Sequence, residues 1–87
     1  MAANNELNNA MEEVESALRQ LPHAQKRVRV VGTDMGHIHA FVGSDRFQNL
    51  GPGERQENVW AHLRENVASK ALGFLYRVEP MNLDEFP

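Results

Sequence analysis

Apolar residues at Leu7, Met11, Val14, Leu18 and Leu21 are spaced by four and three, which draws one stripe down a helix. Asn4 or Asn5 can cap that helix, and Pro22 stops it, so it is predicted over about 5–20. From Lys26 to Val31 the pattern alternates, with Arg27 and Arg29 on one side and Val28 and Val30 on the other, as in a half-buried strand. Gly32-Thr33-Asp34-Met35-Gly36 is turn material. Alternation then resumes, with Ile38, Ala40 and Val42 on one face and His37, His39 and Phe41 on the other. Strands over about 26–32 and 37–43 therefore form a hairpin.

After the break at Gly51-Pro52-Gly53, the positions Val59, Leu63 and Val67 mark a second helix over about 54–68, with Trp60 beside them. A last strand is predicted over about 71–78, with Leu72, Phe74, Tyr76 and Val78 inward. Pro80 is expected to end it, and Asn82 to Phe86 read as one capped turn. The order is helix, strand, strand, helix, strand. A strand–helix–strand unit favours a right-handed crossover and one parallel pairing. Each helix has a single apolar stripe, so both must cover the same sheet face. The expected class is an α+β two-layer sandwich with a three-stranded mixed sheet, one domain over 1–87 with a loose start at 1–5. Its expected core is Val28, Val30, Ile38, Ala40, Val42, Leu63, Leu72 and Phe74.

Composition narrows the chemistry more than it defines it. The chain has 87 residues and no cysteine, so it has no disulfide frame, no thiolate nucleophile and no self-contained iron–sulfur site. The lack of cysteine fits a cytoplasmic setting. Residues 1–20 lack the basic start and apolar middle of a signal peptide, and no stretch approaches a membrane span. The net charge of −3 does not favour nucleic acid for the domain as a whole, although a local basic face is compatible with it.

Candidate sites are few. His37 and His39 share a strand face and can begin a metal site, with His62 or an acid needed to complete it. The plainer reading is exposed strand histidines. His23, beside Pro22, reads as a solvated turn residue. Lys26, Arg27, Arg29, Arg46, Arg55 and Lys70 form a phosphate-binding patch only if the fold gathers them, and neighbouring acids oppose that. Asp45, Glu54 and Glu57 offer carboxylates with no fixed separation, so no enzyme activity is indicated.

The order of elements and the stretch Val42-Gly43-Ser44-Asp45-Arg46-Phe47, followed by Gly51 to Glu54 and Arg55-Gln56-Glu57, resemble the BolA-like family. The resemblance covers roughly residues 7–86, with Val59 and Leu63 at the family's spacing and Asn82 to Phe86 matching its tail. It implies a small fold related to the type II KH domain. It also implies a non-enzymatic regulatory role in contact with a monothiol glutaredoxin or an iron–sulfur assembly partner. The alternative it implies is a KH-like nucleic-acid-binding regulator of transcription or RNA, but Gly51 and Gly53 lack the Gly-x-x-Gly spacing of the KH clamp.

Two positions depart from the family. Gln56 stands at its helix-start His, and Lys70 at the His before the last strand, the residue implicated in sharing a cluster. A protonated lysine has no lone pair to give, so no cofactor is expected. Partner or nucleic-acid contacts are expected at Arg46, Phe47, Arg55, Gln56 and Lys70. These would lie at an end where the hairpin loop, Ser44 to Gly53 and the start of the last strand meet. A monomer or weak dimer is expected.

Overall fold

A computed structural model describes residues 2–87. Helix α1 spans Ala2–Arg19, and strands β1 (Lys26–Gly32) and β2 (Ile38–Ser44) follow. A 3-10 turn at Asp45–Asn49 leads to helix α2 (Pro52–Asn66), the short helix α3 (Ser69–Leu72) and strand β3 (Leu75–Met81). A last 3-10 turn covers Leu83–Glu85. The loose start expected at 1–5 falls in part on Met1, outside the described residues.

The sheet has the order β1-β2-β3. β1 and β2 pair antiparallel, from Lys26↔Ser44 to Gly32↔Ile38, and β2 pairs parallel with β3, from Ile38↔Leu75 to Gly43↔Met81. The sheet is therefore mixed, with the parallel pairing that a strand–helix–strand unit favours. The helices cover one face, so the fold is the expected α+β sandwich. Their stripes meet the inner side of β2 in a core of Val14, Leu18, Ile38, Ala40, Val42, Phe47, Val59 and Leu63, each fully buried.

Four expected core residues, Val28, Val30, Leu72 and Phe74, are only half-buried. For the valines the reason is topological: β1 is an edge strand, packed chiefly by α1. For the other two the local structure differs from the expected strand. Ser69 to Leu72 close a helical turn, with Leu72 N–H donating to Ala68 O at 3.0 Å and Gly73 N–H to Ser69 O at 3.1 Å. Glu13 of α1 anchors this turn by accepting from Ala68 N–H at 2.6 Å.

The last strand thus begins four residues later than alternation predicted, and its phase changes. Leu75 and Val78 enter the core, while Tyr76 is an extra residue at a register shift opposite Ile38/His39 and is turned out. Pro80 lies inside β3 rather than ending it. On an edge strand its missing N–H need not break a ladder bond.

Two glycines suit the places where they stand. Gly36 holds φ +79° in the hairpin turn, a conformation that disfavours side chains. A Cβ on Gly43 would meet the Phe86 ring at 3.1 Å, so glycine lets the C-terminal tail lie against β2.

Candidate functional site

Because β2 and β3 run parallel from Ile38 and Leu75, the hairpin loop and the start of β3 share one end of the sheet. Ser44 to Gly53 follows the far end of β2. The single working end expected from the sequence is therefore two separate ends, seven strand residues apart.

At the Ser44 end the candidate residues are tied into the fold. Phe47 has no exposed surface, so it is a core plug rather than a contact residue. Arg46 donates to Pro22 O at 2.9 Å, and its backbone N–H donates to Ser44 Oγ at 3.1 Å. Arg55 donates to Leu50 O at 2.9 Å and Asn82 Oδ1 at 3.4 Å, tying α2 to the connector and the tail. Gln56 Nε2 donates to Val78 O at 2.8 Å while its Oε1 accepts from Trp60 at 3.1 Å, which joins α2 to β3.

His23, read from the sequence as solvated, is buried in this end. Its Nδ1 lies 2.6 Å from Ser44 Oγ, and its ring meets Phe47 edge-on at 5.2 Å. Ser44 Oγ already accepts from Arg46 N–H, so its hydroxyl proton is free to go to His23 Nδ1. Burial, and then the Arg46 guanidinium, push the His23 pKa below its ordinary value. Sequence reading missed this pair because nothing local marks it: the residues are 21 apart and meet only when β2 closes on the α1–β1 turn.

The hairpin end is different. Thr33 N–H donates to His37 O at 2.8 Å and His37 N–H donates to Thr33 Oγ1 at 3.1 Å, which fixes the turn. Ile38 N–H donates to Phe74 O at 2.8 Å, which places the start of β3 beside it. The turn presents Met35, 82% exposed, and the register shift presents Tyr76, 69% exposed, with the His37 ring stacked on Tyr76 at 5.8 Å. These two are the large exposed apolar side chains among the described residues. Neither was singled out as a candidate from the sequence. An exposed Met in a turn has no periodic signal, and alternation had assigned Tyr76 to the core.

The metal and cluster positions fare poorly in this geometry. His39 lies 2.6 Å from Glu79 Oε2 and stacks on Phe41. His62 is on α2, across the sheet, and donates from Nε2 to Ala17 O at 2.7 Å, so it cannot complete a site with His37 and His39. Among the described residues no group of three His, Cys, Asp or Glu could hold a metal ion. Lys70 is in α3, 3.8 Å from Glu6, and is not the residue before β3; that residue is Phe74. A shared cluster at this end would find one imidazole, His37, and a phenyl ring. The residues present do not fit such a group.

The element order, the mixed sheet and the one-sided helices define a BolA-like fold. A solved structure with this fold, BolA1 from Arabidopsis thaliana, superposes with a TM-score of 0.57, covering 91% of this chain and 98% of that one. The two sequences are 19% identical, so the likeness is one of fold. No protein-family profile and no curated protein sequence matches the chain. Among the described residues no helix is long and apolar enough to cross a membrane.

Proposed function

We propose that this protein is a small non-enzymatic adaptor that acts by binding another protein through its hairpin end. The observation that carries the reading is the exposure of Met35 and Tyr76 together at that end. Aromatic and Met side chains are enriched at protein interfaces, and an exposed aromatic is a natural anchor. The hydrogen-bonded turn fixes the backbone that carries Met35, and the His37 stack orients Tyr76, which lowers the entropy that this ring loses on binding. A monothiol glutaredoxin of the cytoplasm is the partner implied by the resemblance. In this reading the contact needs no cluster ligand from this chain.

Amide NMR shifts on titration with a monothiol glutaredoxin, with and without its cluster, test the reading. Shifts are expected at Thr33 to His37 and Phe74 to Tyr76 in both forms, weakened by Met35→Ala and Tyr76→Ala. Shifts centred on Arg46 and Arg55, or binding that strictly requires the cluster, would overturn it. So would tighter binding of an oligonucleotide at the same end in low salt.

A further inference from the structure

The two edges of the sheet are unlike. The β3 edge carries Pro80, which has no N–H to offer a further strand, and the extra residue Tyr76 breaks its register. The β1 edge has neither obstacle. Its seven residues contain no proline, and its pairing with β2 is unbroken from Lys26 to Gly32. Alternate residues of β1 turn their N–H and C=O away from β2, an open row on which a strand can add.

The side chains along this row state what can add there. Toward the helices, Val28 and Val30 are half-buried, while their cross-strand neighbours Val42 and Ala40 are fully buried. An apolar flank thus continues past the edge of the core. Toward the open face, Arg27 and Arg29 are exposed, and neither forms an ion pair among the described residues. No acid lies on β1 itself.

We propose that the β1 edge is a docking site for an extended partner segment whose side chains alternate acidic and apolar, added as a fourth strand. Its acids would lie beside Arg27 and Arg29, and its apolar residues would cover the flanks of Val28 and Val30. Charge selects against a second copy of this chain: antiparallel pairing of β1 with itself would set Arg27 and Arg29 among the same residues of the other copy. The proposal rests on the partner-binding reading above, but uses a different surface.

The probes are a capped peptide of alternating Glu and Val and its Lys–Val counterpart, titrated into the whole protein. The readouts are amide NMR shifts and hydrogen exchange. The Glu peptide should shift and protect the amides of β1, and the Lys peptide should not. Reversing both arginines, Arg27→Glu with Arg29→Glu, should weaken the Glu peptide by about tenfold and admit the Lys peptide. The milder pair Arg27→Gln and Arg29→Gln should abolish the preference while leaving the melting curve in place. Equal binding of both peptides, shifts centred away from β1, or self-association of the wild-type chain through β1 would overturn the proposal. So would a single-stranded oligonucleotide that shifts Arg27 and Arg29 when the Glu peptide does not. Loss of glutaredoxin binding at Met35 and Tyr76 would leave the peptide result intact, so the two readings fail separately.

Discussion

Each end of the sheet sets a histidine against an aromatic ring, but His23–Phe47 is buried and His37–Tyr76 is exposed. At the Ser44 end, Arg46, Arg55, Gln56 and His23 all bond within the chain, around a Phe47 with no exposed surface. At the hairpin end, Met35 and Tyr76 stand in solvent on a turn fixed by Thr33. The long polar connector thus ties its candidate side chains into the fold, and the short turn leaves its apolar ones in solvent. Polar and charged residues in a loop do not by themselves indicate a binding surface. The connector is largely exposed, with Ser44 and Phe47 alone buried, and its polar side chains act by holding it against Pro22, Leu50 and Asn82.

Substitutions can break this contrast, and the largest effect should come from Phe47→Ala. It leaves a ring-sized cavity beside His23, under the turn that packs on β2 and β3, and should lower stability by roughly 3–5 kcal/mol in chemical denaturation. A loss under about 1 kcal/mol would mean that the Ser44 end is not the packed one.

Gln56→Ala comes next. It strips Val78 O and Trp60 Nε1 of their partners, with an expected loss of about 1–3 kcal/mol for part-buried groups. If stability holds and partner binding falls instead, Gln56 is a contact residue after all.

The pH response sharpens the same contrast. The folded pKa of His23 lies below the unfolded value, so the unfolded state takes up the proton first. The stability due to His23 is present above about pH 6.5 and is lost as the pH falls from there through the lowered folded pKa. Melting temperatures across this window should drop on acidification, and His23→Gln should flatten the slope. The same slope in the variant would assign the response to other groups.

The smallest effect on stability belongs to the hairpin end. Met35→Ala with Tyr76→Ala should stay within about 0.5 kcal/mol of the parent, because these side chains bury little. Any larger loss would make this end structural too, and the contrast would disappear.

Much of the architecture was legible in the residues. The 3.6-residue stripe of Leu7 to Leu21, the alternation of Lys26 to Val31 and Ile38 to Val42, and the stripe Val59 to Val67 each report a local period that one buried face requires. The chain order then favours the parallel pair. What failed was where period and structure part. Ala71 to Val78 reads as a strand, but its first residues close a helical turn anchored by Glu13, 55 residues away, and a register shift flips Tyr76 outward. Lys70 was placed before the strand for the same reason.

The site was less legible than the fold. Arg46, Arg55 and Gln56 were singled out by residue type and by resemblance, but their hydrogen-bond partners, Pro22, Leu50, Asn82 and Val78, are mostly remote in sequence. Periodicity alone determines which face of each element is apolar, because that depends on near neighbours along the chain. Which end of the sheet is closed, which edge is open, and whether His23 meets Ser44 depend on how distant segments pack, and only the tertiary structure decides them.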